Sequence, residues 1–229
     1  MKRYETIKDV YDRAQGYREG VNNYGRLRFM QAVGDRLHGL TLDVGSADYP
    51  VPMVGEKNKR ISLDISLPLL LSLRSLEPEA YCIQGDAGAL PFGDTVFDDL
   101  TALELIYYLP DLDRFWEECR RVLKPSGVLH VRYVNERWRW LINSPLARGL
   151  LRALTGKPIF PADMLHLRGD KLILRSLSKY FRTVQIQYCV FIPCSFAHNF
   201  NRLFEKSFLS CFALYVHIRA FDPSTQHQA

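Results

Sequence analysis

No C-x-x-C pair occurs in this chain, and none of its five cysteines stands with histidine at zinc-finger spacing. Cys82, Cys119, Cys189, Cys194 and Cys211 read as reduced thiols in apolar settings, and a Cys189–Cys194 disulfide has no support. Long apolar runs are also missing. The longest, "ISLPLLLSLRSL", is short and is broken by Arg74, so it cannot span a bilayer. The opening "MKRYETIKDVYDR" lacks the apolar core of a signal peptide, and the expectation is a cytoplasmic protein. There are no internal repeats and no low-complexity linker. A net charge of +5 is too mild by itself to argue for nucleic acid. Two chemical signatures are absent as well: the phosphate-cradling G-x-G-x-x-G loop, and any evident Ser/His/Asp set.

What is present is 229 residues, 47% of them hydrophobic, enough for one domain with a proper core. Residues 1–38 read as helix, with Tyr11, Ala14, Leu27, Met30, Val33 and Leu37 on apolar faces, and would form a lid over a ligand. From Leu40 the pattern changes. "LTLDV", "RISLDIS", "AYCIQGD", "FDDLTALEL" and "GVLHVRYVN" read as strands. "PLLLSLRSL" and "DLDRFWEECRRVLK" are the helices between them, the second closed by Pro125 and Gly127. After Val134 the rhythm breaks. Residues 136–170 read as an insertion capping the substrate, followed by the helix "KLILRSLSKYF" and the strands "RTVQIQYCVF" and "CFALYVHIRAF", with "FNRLFEKSFL" helical between them. Alternating strands and helices predict a single α/β domain over 1–229. Its Rossmann-like, mostly parallel seven-stranded sheet would have helices on both faces and an antiparallel strand at one edge.

In such a sheet the ligand sits beyond the carboxyl ends of the strands. Three acids stand there: Asp43, Asp64 and Asp86. A carboxylate only accepts hydrogen bonds and can take two donors at once, so an acid ending the second strand suits both ribose hydroxyls. An acid ending the third suits an adenine amino group. The first loop, "DVGSADYP", holds Asp43 and Asp48. Two acids there would repel a pyrophosphate but attract an ammonium and a sulfonium. That favours S-adenosylmethionine over NAD or FAD and makes a nicotinamide dehydrogenase a distant reading.

The stretches "LTLDVGSA", "RISLDIS", "GDAGALPFGDTVFDDLTALELIYYLPD" and "RVLKPSGVLHV" resemble the class I S-adenosylmethionine-dependent methyltransferases, of the broad group acting mostly on small molecules and lipids. The run "GDAGALPFGDTVFD" is the most specific, and the resemblance covers roughly residues 38–135. It implies that Asp43 and Gly45, with Ser46 and Ala47 of the same loop, lie by the methionine moiety. Asp64, with Ile65 beside it, would hold the ribose, and Asp86 and Ala87 the adenine. Leu103 and Glu104 would lie beside the sulfonium and the acceptor. The chain departs from the family at Ala47 and Tyr49, where relatives usually carry Gly. The stretch from Tyr49 to Arg60 also leaves little room for the usual first helix.

The methyl of a sulfonium is already activated, so a base is needed only for a hydroxyl or a protonated amine. The candidates are Glu104, Tyr108 beside Tyr107, and His166, each with a packing or cofactor-contact role as the alternative. His130 lies inside a strand and reads as structural. From Arg137 to Arg182 ten basic residues face only Asp163 and Asp170, interleaved with Trp138, Trp140 and leucines. That is either a solvated helix face or a cap touching an anionic acceptor or a membrane surface. The functional readings are therefore a methyltransferase acting on a small-molecule or lipid-like acceptor, a non-catalytic cofactor-binding scaffold, and an RNA methyltransferase, for which no RNA-binding module is present. No metal site is expected.

Overall fold

The computed structural model describes residues 30–136, 144–146, 149, 168–189 and 215–222. Seven strands form one sheet: β1 (Leu40–Val44), β2 (Lys59–Asp64), β3 (Tyr81–Gln84), β4 (Phe97–Leu103), β5 (Leu123–Val134), β6 (Thr183–Cys189) and β7 (Tyr215–Phe221). Three described helices accompany them: α1 (Leu67–Leu76), α2 (Leu112–Val122) and α3 (Asp170–Leu177). The strand order is β3-β2-β1-β4-β5-β7-β6. The pairs among β1 to β5 are parallel, and β7 runs antiparallel to both β5 and β6. The closing strands thus pair antiparallel at one edge, as the sequence implied, with β7 the reversed strand and β6 outermost.

Local chemistry explains where the helices stand. α1 has Pro68 in its first turn, where the missing N–H is no loss, and buries Leu69, Leu70 and Leu73. α2 starts at Asp111, whose side chain accepts from the backbone N–H of Arg114 at 3.1 Å. It buries Leu112, Phe115, Trp116, Cys119 and Val122, a stripe of helical period. β5 begins directly after α2, so Pro125 and Gly127, which follow the helix, lie inside the strand's irregular first residues. The register shift opposite Phe97 and Asp99 accommodates them. No helix occupies residues 45–58, in keeping with the shortness of that stretch. The helix expected over 1–38 is described only from Met30, and most of the expected cap, the helix over 200–209 and the tail lie outside the described residues.

β1 is flanked by β2 and β4, so connections leave it in opposite directions and make a switch point. Right-handed crossovers then place α1 and α2 on opposite faces. The α2 and α3 face is apolar, with Leu42, Leu100, Leu129, Val131 and Ile218 inside. The α1 face is different. Register puts Ser62 beside Asp43, Asp43 beside Thr101, Thr101 beside His130, and His130 beside Arg219, all on that one face. Thr41, Asp99, Arg132 and His217 complete a polar layer that is nonetheless buried. Within it the Thr101 hydroxyl donates to Asp43 at 2.6 Å, and the rings of His130 and His217 stack with centroids 5.7 Å apart. His38, just before β1, donates to Asp99 from its backbone N–H at 2.8 Å and lies within 2.8 Å of it through Nδ1.

This layer makes stability depend on pH. Burial pushes His130 well down and His217 down to about 3, with the nearby charges of Arg36, Arg219 and Arg132 adding to the effect at His217. Burial pushes Asp99 up to about 6, against the pull of His38 and Arg219 and with the push of Asp98. Below about pH 6.5 the unfolded chain binds protons that the two folded histidines refuse, so stability falls as pH falls. Asp99 acts the other way, holding a proton in the fold between its ordinary range and about 6, and offsets one histidine. The net expectation is a loss of about 1 kcal/mol per pH unit below about pH 6. Denaturant midpoints at about pH 7.5 and about pH 5 check it, and an unchanged or higher midpoint in acid contradicts it.

Candidate cofactor and acceptor site

At the carboxyl end of β1 the loop from Gly45 to Tyr49 is tied to β2 by its backbone. The N–H groups of Gly45 and Ser46 both donate to the Leu63 carbonyl, at 2.8 and 3.3 Å. The Ala47 N–H donates to Asp64 Oδ2 at 2.8 Å, and the Ser66 N–H to Asp64 Oδ1 at 2.9 Å. Asp64 therefore fixes the first loop against the entry to α1. Burial pushes its carboxyl up, while the bonds from Ser66 and Ala47 pull it down and neighbouring Asp43 pushes it up again. Asp43 accepts from Thr101 and, at 2.8 Å, from the Val51 N–H, so it anchors the far end of the same loop.

Gly45 sits at φ +72, and a Cβ there would lie 2.9 Å from Leu105 Cδ1. Its glycine is explained by that conformation and by Leu105 without invoking a ligand. Ala47 adopts φ +48, the left-handed region where relatives' glycine costs nothing. Tyr49 is half-buried and packs against the hydrophobic core. Relief of left-handed strain in Ala47→Gly is largely offset by the freer unfolded chain, so this variant should stay within about 1 kcal/mol of wild type. The β-branched Ala47→Val should lose about 2 kcal/mol. Thermal melts of the two variants check this, and equal melting temperatures would contradict it.

The loop after β3 is held from α2. Asp86 Oδ1 accepts from the Gly88 N–H at 2.8 Å, and Ala87 is buried beside it. Arg114 donates to the Gly88 carbonyl at 2.6 Å, and Glu118 accepts from the Leu90 N–H at 2.7 Å. Arg121 reaches the carbonyls of Leu90 and Phe92, Asp94, and Glu118 itself. The "GDAGALPFGD" run is thus a loop locked by one face of α2.

Beyond β4, Glu104 stands at φ +62, a left-handed residue at a strand end, and donates its backbone N–H to the Arg132 carbonyl at 2.8 Å. Its side chain lies 3.4 Å from the buried Arg132 guanidinium, so its charge is balanced from beneath the site. Leu103 packs against the core. Tyr107 and Tyr108 are buried in an edge-to-face pair with centroids 5.0 Å apart. Arg168 donates to the carbonyls of Ile106, Leu109 and Pro110 at 2.7 to 2.9 Å and so clamps the whole loop after β4. His166 lies outside the described residues.

The structure thus gathers Asp43, Gly45, Ser46, Ala47, Asp64, Ile65, Asp86, Ala87, Leu103 and Glu104 onto the carboxyl ends of β1 to β4 and the loops that follow them. Sequence reasoning missed Thr101, Arg132 and Arg168. Thr101 and Arg132 sit at alternating polar positions of strands, which a period-two reading of "DLTAL" and "LHVRYV" exposes. Arg168 was one of ten basic residues and carried no distinguishing signal. It donates to backbone carbonyls, and Lys179 forms a surface ion pair with Asp113 at 2.6 Å.

The acceptor-only carboxylates suit a ligand with a vicinal diol and a cationic amine. Among the described residues no group of His, Cys, Asp and Glu could hold a metal ion, and no helix is long and apolar enough to cross a membrane. Comparison with known proteins agrees. Residues 42–131 match the methyltransferase domain family. A demethylmenaquinone methyltransferase of Staphylococcus saprophyticus is 30% identical over 141 residues, covering 55% of this chain and 60% of its own length. A sterol 24-C-methyltransferase of Gibberella zeae is 38% identical over 60 residues, 26% of this chain and 14% of that one. The chain thus spans less than two thirds of these relatives. A solved S-adenosylmethionine-dependent methyltransferase of Thermotoga maritima shares the fold with TM-score 0.66 at 17% identity, covering 94% of this chain and 99% of that one. Fold and family match converge: residues 42–131 match a methyltransferase domain, set within the Rossmann-like fold of a solved methyltransferase.

Proposed function

We propose that the protein transfers a methyl group from S-adenosylmethionine to a small-molecule or lipid-like acceptor. The observation that carries this reading is the placement of Asp43, Asp64 and Asp86 around the switch point, with Asp64 fixing the loop that faces the ligand. When bound, the cofactor supplies a methyl group already activated by its sulfonium. The chain's work is then to bind, align and exclude water. Asp64 receives the ribose hydroxyls on the oxygen lone pairs not used by Ala47 and Ser66. Asp86 and Ala87 hold the adenine. The clamped loop after β4, with Leu103 and Glu104 at its start, walls the acceptor. Relatives named for quinone and sterol acceptors support the acceptor class.

The test is a labelled-methyl transfer assay against quinone, sterol and polar lipid extracts, with RNA as a separate arm. Label in an organic-extractable product supports the reading. Cofactor binding with no product in any arm supports the scaffold reading, which the strained Ala47 and the neighbouring Tyr49 favour.

A further inference from the structure

Asp48 is the one acid of the first loop that the fold does not use. It is 1% exposed, and its Oδ1 has no hydrogen-bond donor. Its flanks are fixed, with the Ala47 N–H on Asp64 and the Tyr49 N–H on the Ser46 carbonyl at 3.2 Å. Asp43 and Asp64, by contrast, each have both oxygens accepting from the protein. No lysine or arginine among the described residues pairs with Asp48. A buried carboxylate in this state calls for a partner that brings both positive charge and N–H donors.

We propose that Asp48 receives the α-ammonium group of the cofactor's amino-acid end, the role that the family pattern would place on Asp43. This rests on the cofactor reading above. A sulfonium has charge but no N–H to give, and a ribose diol has donors but no charge. Only the ammonium answers both needs of the orphaned oxygen. Asp43 then serves as the anchor of the loop, bonded to Thr101 and Val51, and Asp48 as its ligand-facing charge. The carboxylate also offsets what the loop gives up by replacing glycine at 47 and 49.

The test uses two ligands that differ only at that end of the molecule. S-adenosylhomocysteine carries the amino acid, and 5′-methylthioadenosine lacks it. Wild type and Asp48→Asn are titrated with both, and the unliganded melting temperatures are compared. The expected result is a loss of at least about tenfold in affinity for S-adenosylhomocysteine, with 5′-methylthioadenosine unchanged within about twofold. The unliganded variant should melt at or above wild type, because an unpaired buried charge has been removed. Parallel loss of both ligands, no loss of either, or a variant melting well below wild type makes Asp48 a structural residue and overturns the proposal. Failure of wild type to bind either ligand overturns the cofactor reading itself and this proposal with it.

Discussion

Arg168→Ala is expected to cost the fold on the order of 3 kcal/mol and to loosen the wall of the acceptor site. The guanidinium donates to three backbone carbonyls, of Ile106, Leu109 and Pro110, from one half-buried group. Those carbonyls belong to the loop that turns the chain from β4 into α2 and carries the Tyr107–Tyr108 pair into the core. Removing the donor leaves the part-buried carbonyls of Ile106 and Leu109 without their partner, while the exposed Pro110 carbonyl can turn to water. Arg168→Lys should recover less than half of the loss, because an ammonium on a single stem cannot match the fork that spans these carbonyls. Denaturant titration of the two variants checks this. A change within about 0.5 kcal/mol for Arg168→Ala would contradict the clamp.

Asp64→Ala carries the second large effect, and it falls on binding and folding together. The backbone N–H groups of Ala47 and Ser66 both lose their acceptor in a buried setting, which costs about 2 to 4 kcal/mol. The ribose loses its carboxylate as well, so affinity for S-adenosylhomocysteine should drop about a hundredfold or more. A melting experiment separates the two effects. Ligand at about a hundred times its dissociation constant should stabilise wild type by roughly 3 kcal/mol, and the same concentration should add little to the variant. A variant stabilised as much as wild type would remove Asp64 from the ribose.

Much of this was legible in the chain. β1 spans the five residues of "LTLDV", and α2 follows the capping aspartate and apolar stripe of "DLDRFWEECRRV". Those elements rest on local signals: a cap, a helical period, a glycine after a strand. The strand-end acids were legible for the same reason, because position along the chain sets position along the sheet. The buried polar layer was not. Parallel strands covered on both faces lead one to expect continuous apolar runs, whereas Thr41, Asp43, Asp99, Thr101, His130 and Arg132 alternate with them and are satisfied partly by each other across strands. Such pairing depends on strand order, which no local pattern carries. The partners of Asp43 were illegible in the same way: its oxygens accept from Thr101 of β4 and from Val51 later in the loop. The Arg168 clamp joins positions about sixty residues apart and had no periodic signature at all.

The central claim is that the carboxyl ends of β1 to β3 bind S-adenosylmethionine through their acids. The most direct measurement is calorimetric titration of the wild-type chain with S-adenosylmethionine and S-adenosylhomocysteine. The account predicts saturable micromolar binding of both at one site per chain. Absence of heat, together with no ligand-induced rise in melting temperature, would contradict it and leave a methyltransferase fold whose first loop serves only the protein's own structure.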